Sequence, residues 1–287
     1  MGRGPLMRRD GAARPSLLAA AAIALTALPA TAAGPREHLG PKAPTVIRRV
    51  VTLAPSLSEL VLALGAGDRL VGVTRFDDDP RTANLPRIGG YNDPEPEAVL
   101  ALKPDLALAE PAPSNRGPVE TLARLGVPIE AIPLSTVADI EGAVAQVGAL
   151  LSLRPAASAL VERIEKKRRG VRAAAQKQPR VRALLVFGTD PLIVAGAKSY
   201  VGELLADVGG DNAAGDSDKP FFRLPAEVAV RAQPEVIILC GISATSGRPI
   251  VPGLEKVRTV PLRSSALLHP GPRISEALDD LTAALRP

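Results

Sequence analysis

Short apolar runs alternate with amphipathic stretches along most of the chain. The apolar runs predict strands at 49–54, 70–73, 106–109 and 128–132, and the pattern restarts at 181–187 and continues to 236–240. Apolar side chains recur at helical spacing between these runs, over 56–64, 97–102, 117–125, 137–151 and finally 272–285. Strands separated by helices are typical of parallel sheets covered on both faces. The pattern therefore predicts an α/β protein.

A longer helix is predicted between the two halves. From Pro155 to about residue 177 apolar side chains share one face, no strong breaker precedes Pro179, and Ser152 is placed to cap the start. At 1.5 Å per residue this helix is about 34 Å long, enough to run the height of two stacked lobes. We therefore predict an N-terminal lobe at 46–151, an interlobe helix at 152–178 and a C-terminal lobe at 179–287.

The segment 1–32 is typical of a secretory signal peptide. Four arginines lie between positions 3 and 14, an apolar run spans 17–28, and Ala30-Thr31-Ala32 matches a cleavage site. That run is too short for a membrane span of about 20 residues. No cysteine lies near the cleavage site, so we expect a periplasmic protein without a lipid anchor. The segment 33–45, rich in Pro, Gly and Ala, is predicted to form a flexible leader.

Charge and cysteine content give no support for a nucleic-acid-binding protein or for a fold stabilised by internal disulfides. The formal charge is +5, but the signal segment carries four arginines and one aspartate, so about +2 remains. The high isoelectric point is therefore no evidence for a nucleic-acid partner. The chain has one cysteine, Cys240, which ends an apolar run and cannot form an internal disulfide. We expect it to be a small buried apolar residue.

One sequence layout occurs twice, once in each half of the chain. Tyr91 precedes Glu97 by six positions, as Phe221 precedes Glu227, and in both cases an amphipathic stretch and then a proline–acid pair open an apolar run. We interpret this as one supersecondary unit used in two similar lobes, each presenting an aromatic and a glutamate to a shared cleft. Chance is the alternative, because a helix followed by a strand is common in α/β proteins.

Several motifs together resemble a known family. They are VTLAPS at 51–56 with Glu59, IGGYN at 88–92, EAVLALKPDL at 97–106 and LGVP at 125–128. In this order, and over about 46–286, the chain resembles the periplasmic substrate-binding proteins of ABC importers for cobalamin, haem and ferric siderophores. The resemblance implies two Rossmann-like lobes with mostly parallel sheets, joined by a single long backbone helix, with a ligand wedged between them and little hinge motion.

The resemblance also implies partners. One surface glutamate per lobe, here Glu97 and Glu227, would contact arginines of an ABC permease dimer that carries ATPase subunits. The simpler alternative is that both acids stabilise a helix N-terminus. The family further implies a monomer that binds a small molecule, has no cofactor and is not an enzyme.

Candidate ligand contacts come first from the aromatic residues. Of six in the chain, Phe76, Tyr91, Phe221 and Phe222 are predicted in loops near the cleft, which suggests flat contacts for a large planar ligand. Ordinary loop packing is the alternative. Ser56 and Glu59 form a predicted capping box, and the amino end of that helix could also face a polar group of the ligand.

The choice of ligand depends on a few further positions. Glu110 follows the strand at 106–109, and His269 lies in the loop before the last helix. Residues 89–92 resemble the corrinoid members, whereas Tyr91 lies near the position of an iron-ligating tyrosine in haem members, which His269 could complement. A lone histidine before proline is otherwise simply exposed. We therefore predict cobalamin first, and haem or a ferric siderophore second.

Enzymatic alternatives have little support in the sequence. The chain lacks a dinucleotide fingerprint, a phosphate-binding lysine loop and a nucleophile elbow, and its only histidines are His38 and His269. The run Asp77-Asp78-Asp79 is expected to be a solvated loop, so we predict no metal site. A chelatase-like enzyme on a related two-lobe fold is the alternative from another class.

Overall fold

Two sheets, one in each half of the chain, organise the protein. The computed structural model describes Met1 and residues 37–215, 217–242, 251–262 and 264–286. The predicted signal peptide, apart from Met1, and the start of the predicted leader lie outside these residues. From Ala32 onward the chain forms one compact unit. Among the described residues, no helix is both long enough and apolar enough to cross a membrane.

The first sheet contains five strands in the order β1-β5-β4-β2-β3. Strands β2 to β5 run parallel, and β1 joins the edge antiparallel to β5. The strands are β1 (Glu37–Leu39), β2 (Val50–Thr52), β3 (Leu70–Gly72), β4 (Leu106–Ala109) and β5 (Ile129–Ala131). The helices are α1 (Pro55–Ala63), α2 (Pro96–Ala101), α3 (Arg116–Arg124) and α4 (Val137–Leu150).

Strand β1 corrects the expectation of a flexible leader at 33–45. Its backbone pairs with β5, and His38 Nδ1 lies 2.9 Å from Glu130 Oε1 on the neighbouring strand. A strand this short has too little pattern to be recognised alone, and it forms because β5 offers an unpaired edge.

The second sheet is mixed. Its order is β11-β10-β6-β7-β9, and β8 also pairs with β6. Strands β6, β8, β10 and β11 are parallel, whereas β7 and β9 are antiparallel additions. The strands are β6 (Val181–Thr189), β7 (Leu192–Ala195), β8 (Gly210–Asn212), β9 (Phe221–Arg223), β10 (Val236–Cys240) and β11 (Arg258–Leu262). The helices are α6 (Tyr200–Asp207), α7 (Ala226–Arg231) and α8 (Ile274–Leu285).

The structure confirms the repeated unit. Helices α2 and α7 occupy the same place in the two layouts, have the same length, and both end before a residue of positive φ, Lys103 at 44° and Gln233 at 48°. In both lobes the acid that directly precedes a parallel strand accepts a backbone N–H from a residue at, or just before, the start of the neighbouring parallel strand. These bonds are Arg49 N–H to Asp105 at 2.9 Å and Arg182 N–H to Glu235 at 2.8 Å. Two matching turn arrangements make chance a poor explanation.

A 22-residue helix, α5 (Arg154–Ala175), connects the halves. It is about 33 Å long and contacts α4 of the first lobe and α6 and α8 of the second. It lies inside the predicted interlobe segment. Its cap differs from the prediction, because Leu153 is the N-cap and Ser152 has a φ of 59°. The tight turn out of α4 takes Ser152 out of the capping position.

Helix α5 also ties the lobes together through charge. The Arg168 side chain is only 14% exposed and lies 2.7 Å from Asp207, 3.9 Å from Glu203 and 3.7 Å from Glu141. Glu141 belongs to α4, and the other two acids belong to α6. A buried arginine surrounded by three acids therefore joins helices from both halves.

One apolar core extends through both lobes. It includes side chains from α1, α4, α5, α6 and α8, for example Leu60, Ile140, Ile164, Leu204 and Leu278. The backbone N–H of Tyr200 also donates to the carbonyl of Ser135 in the first lobe, at 2.8 Å. Separating the lobes would expose this shared core, so the fold opposes large hinge motion.

Candidate functional site

The strand orders of the two sheets locate a crevice. In the first sheet β3 and β4 lie on opposite sides of β2, and in the second sheet β8 and β10 lie on opposite sides of β6. At such a switch point, the chain connections on the two sides of a strand run in opposite directions. In open α/β sheets, ligands bind outside the carboxyl ends of strands at such a switch point. Glu110 directly follows β4 and therefore lies at this position in the first lobe.

Tyr91, Glu110 and Asn115 lie together on the first lobe. Tyr91 lies in a loop and packs partly buried against the shared core. Asn115 is buried, donates its side-chain N–H to the carbonyl of Glu110 at 2.9 Å, accepts from the N–H of Ala112 at 3.2 Å, and lies within hydrogen-bonding reach of the Tyr91 phenol. Asn115 thus holds the loop after β4 against Tyr91.

The electrostatics of this group follow from burial. Burial raises the pKa of the Glu110 carboxyl from 4.5 to about 7. Burial also raises the pKa of the Tyr91 phenol, and the nearby Glu110 carboxylate raises it further, while Asn115 partly opposes the change. Tyr91 therefore stays a neutral phenol, and Glu110 titrates near neutral pH.

Three aromatic rings form the corresponding group on the second lobe. Phe221 is 37% exposed, its ring centre lies 5.0 Å from that of Phe187 in an edge-to-face arrangement, and it lies 6.5 Å from Tyr200. Edge-to-face pairs of this kind are favourable contacts. Tyr200 is buried and donates its O–H to the carbonyl of Leu267. Phe187 and Tyr200 were not predicted as site residues, although Phe187 lies near the carboxyl end of a parallel strand.

Phe221 and Phe222 do not share a role. Both belong to β9 and not to a loop as predicted, and they pair with consecutive residues of β7. Side chains alternate along a strand, so the two rings point to opposite faces. Phe222 packs against a separate core cluster of the second lobe. We therefore withdraw Phe222 from the predicted ligand contacts.

Electrostatics connect the two aromatic groups. Burial raises the pKa of Tyr200, and the carboxylates of Glu110 and Glu59 raise it further. The Glu110 carboxylate of the first lobe thus affects the pKa of Tyr200 in the second lobe as well as that of Tyr91 in the first. A cavity of about 280 Å³ borders Glu110 and Asn115 within the first lobe, and its wall also includes Leu39, Ala109, Pro111 and Val119 but none of these aromatic rings.

The predicted capping box at Ser56 and Glu59 is wrong. The N-cap of α1 is Ala54, without a side-chain cap, and Glu59 is 6% exposed and turned toward the second lobe. Its Oε1 lies 2.8 Å from His269 Nδ1 and 3.4 Å from Arg273 Nη1. The alternative interpretation of His269 as a simply exposed histidine is therefore wrong, because its Nδ1 contacts Glu59 of the other lobe.

The amino end of α1 is covered. Ser56 is buried, and a Cβ built on Gly271 would lie 3.3 Å from the Ser56 carbonyl, so the loop before α8 packs on this turn. The Ser56 side chain thus belongs to the interior. A capping box does occur elsewhere, where Thr136 and Asp139 start α4.

The loop after β3 carries Phe76 and the run of three aspartates. Phe76 is 55% exposed, with the Arg75 guanidinium 5.2 Å from its ring centre. Asp77 is buried and accepts from the N–H and O–H of Thr74, at 2.9 and 2.6 Å. Asp79 accepts from Arg81. Only Asp78 fits the expected solvated loop, and it approaches Glu59 and His269, with one ligand atom of each within 4.8 Å of the others.

The predicted docking glutamates occupy equivalent places. Glu97 and Glu227 lie exposed in the first turns of α2 and α7. Neither forms an ion pair with any residue in the described part of the chain.

A family model described as periplasmic binding protein matches residues 50–249. The chain belongs to this family. Its members are non-enzymatic periplasmic solute carriers that serve ABC importers. The match confirms the resemblance seen in the sequence motifs.

Individual relatives agree with this family. The vitamin B12-binding proteins of Yersinia pestis (strain Pestoides F) and Yersinia pseudotuberculosis serotype O:3 (strain YPIII) are each 32% identical over 232 residues, covering 79% of this chain and 76% of theirs.

Solved structures confirm the two-lobe fold with a helical backbone. The vitamin B12-binding protein BtuF of Vibrio cholerae superposes with a TM-score of 0.72 at 23% identity, covering 85% of this chain and 98% of that one. The haem-binding protein RhuT of Roseiflexus sp. RS-1 gives 0.69 at 29% identity, covering 83% and 98%.

Proposed function

We propose that this protein captures cobalamin or a related corrinoid in the periplasm and delivers it to the permease of an ABC importer. The observation that carries this proposal is the pair of aromatic groups at the interlobe crevice, Tyr91 with Glu110 on one lobe and Phe221 with Phe187 on the other. Flat apolar surfaces from two sides suit a large ring, and the polar groups beside Tyr91 suit its amide substituents. Relatives at 32% identity are vitamin B12-binding proteins.

The environment of Tyr91 favours a corrinoid over haem. Ligation of ferric haem by tyrosine uses a phenolate. Burial and the Glu110 carboxylate both raise the pKa of this phenol, which opposes the phenolate.

Haem is the second candidate. A haem-binding protein at 29% identity shares the fold, and a bound ferric ion would itself lower the pKa of Tyr91. A ferric siderophore is the remaining iron-containing candidate.

Calorimetric titration with cyanocobalamin and with hemin tests the proposal. Truncation of a buried aromatic anchor commonly costs about 2 kcal/mol, so Tyr91→Ala and Phe221→Ala should each weaken cyanocobalamin binding about thirtyfold. Tyr91→Phe keeps the ring face and should change corrinoid affinity only a few-fold. Phe222→Leu, on the opposite face of the same strand, is the matched control and should bind as the wild type does.

Three outcomes would redirect the assignment. Tight hemin binding that Tyr91→Phe abolishes would favour haem, and binding of neither compound would favour a siderophore. Equal losses in Phe221→Ala and Phe222→Leu would place the site elsewhere. The absorption spectrum of protein purified from its own periplasm gives an independent answer, because corrinoid and haem bands differ.

We further propose that Glu97 and Glu227 are the contacts to the permease. Their support is their equivalent placement in a repeated unit and their exposure without an ion pair among the described residues. We propose export through the segment 1–32, function as a monomer, and coupling to the ATPase subunits of the same importer.

We propose no catalytic activity. The relatives are solute carriers, and the chelatase-like alternative needs a base or metal ligand that faces the cleft. Glu59, Asp78 and His269 come closest to meeting that requirement, and their contacts support a binding role.

A further inference from the structure

We infer that Glu59, Asp78 and His269 form a binding site for one divalent transition cation of the Zn²⁺ type, at the junction of the two lobes. Glu59 lies on α1 and Asp78 in the loop after β3, both in the first lobe, whereas His269 lies before α8 in the second. Nitrogen from histidine together with carboxylate oxygen is a common donor set for Zn²⁺.

The donor atoms are close enough to share one ion. One ligand atom from each residue lies within 4.8 Å of the other two, and His269 Nδ1 is 2.8 Å from Glu59 Oε1. Tetrahedral ligands about 2.1 Å from zinc lie about 3.4 Å apart. Asp78 is exposed and can close the remaining distance by rotation of its side chain, so little rearrangement is needed.

Glu59 supplies a separate indication of a missing partner. Its side chain is more than nine-tenths buried, and its Oε2 is a buried oxygen with no hydrogen-bond partner among the described residues. Buried carboxylate oxygens nearly always have a donor or a bound ion. A cation at this place would satisfy that oxygen.

The surrounding charges leave a requirement for positive charge. Glu59 and Asp78 place two carboxylates beside His269. Arg273 is the nearest cation, but its Nη1 donates at 2.8 Å to Ser265 and reaches Glu59 only at 3.4 Å, while its Nε and Nη2 bind Glu276. Arg81 acts on Glu59 at longer range and is held by Asp79.

Three protein ligands leave at least one coordination position open for water or for a donor group of a bound solute. Because the ligands come from both lobes, the ion would bridge the edge of the cleft. The inference does not depend on the identity of the transported solute.

The test is a titration of the tag-free mature protein, treated with a chelator, with ZnCl₂ in the absence of any solute. We expect one ion per chain, and a loss of affinity of at least tenfold in Asp78→Asn, His269→Ala and Glu59→Gln. His38→Ala changes the only other histidine, which lies on the distant strand β1, and should leave zinc affinity as in the wild type.

A second measurement keeps the inference testable if the buried Glu59→Gln variant folds poorly. Co²⁺ should give visible absorption bands of a nitrogen and oxygen site, and these should vanish in Asp78→Asn, whose exposed side chain is not needed for folding. Absence of zinc binding, or equal affinity in wild type, Asp78→Asn and His269→Ala, would overturn the inference. Failure to bind cyanocobalamin would reject the corrinoid proposal and leave this one unchanged.

Discussion

Glu110 shows how one residue couples protonation to stability. Its pKa is about 7 in the folded protein against 4.5 when unfolded, because burial disfavours the carboxylate. Below about pH 4.5 both states are protonated, and the group has no effect on the free energy of unfolding. Between about 4.5 and 7 the unfolded chain loses its proton first, so the folded state is progressively disfavoured, and above 7 the full penalty is present.

We therefore predict that Glu110→Gln stabilises the protein at high pH. The gain in the free energy of unfolding should be about 1–3 kcal/mol at pH 8 and should disappear at pH 4, since one pKa unit corresponds to about 1.4 kcal/mol and the side chain is only partly buried. Urea denaturation at pH 4, 6 and 8 measures it. Glu162→Gln, at an exposed position of α5, is the control. An equal gain at pH 4 would assign the effect to packing instead of protonation.

At the scale of elements, the contact between α4 and α5 depends on a glycine. A Cβ on Gly148 of α4 would lie 2.4 Å from the Cβ of Ala157 on α5. The two helix backbones can approach closely because no side chain separates them at this position. Gly170 of α5, in contrast, has nothing within 4 Å of an added Cβ.

Alanine substitutions at these two glycines should act in opposite directions. Gly148→Ala should lower the free energy of unfolding by about 1–3 kcal/mol, because it forces the helices apart. Gly170→Ala should raise it by about 0.5–1 kcal/mol, because alanine is the better helix former and meets no neighbour. Urea unfolding of both variants measures the difference. A stabilised Gly148→Ala variant would mean that the helices are packed less closely than described.

At the scale of the whole molecule, transport requires a second interface. If Glu97 and Glu227 meet the permease, reversing both charges with arginine should abolish uptake in reconstituted vesicles while solute affinity stays within a few-fold. Exposed charges at an interface steer and orient association and do not hold a ligand in a distant cleft.

The matched control reverses two other exposed carboxylates, Asp68 and Glu162. It changes the net charge equally and should transport normally. Normal transport by the Glu97 and Glu227 double variant, or equal loss in the control, would reject the docking role.

Sequence alone determined the layered α/β architecture, the long connecting helix and the repeated unit. These features depend on local periods of apolar residues and on turn chemistry that recurs within a few positions, as at Pro104-Asp105 and Pro234-Glu235. Such signals are visible without knowing what packs against them. The family resemblance rested on the same local motifs.

Tertiary structure decided which side chains meet. Glu59 has the spacing of a capping box, but its partner is His269, far away along the chain, because the loop before α8 folds over α1. Phe221 and Phe222 are equivalent in sequence, and only the pairing of β9 with β7 directs one ring toward Phe187 and Tyr200 and the other to a separate core cluster. Asp77 and Asp78 differ likewise, since one bonds within its loop and the other faces the second lobe. A local sequence pattern limits the contacts that a residue can make, and the packing of segments that are distant in sequence decides which of these contacts forms.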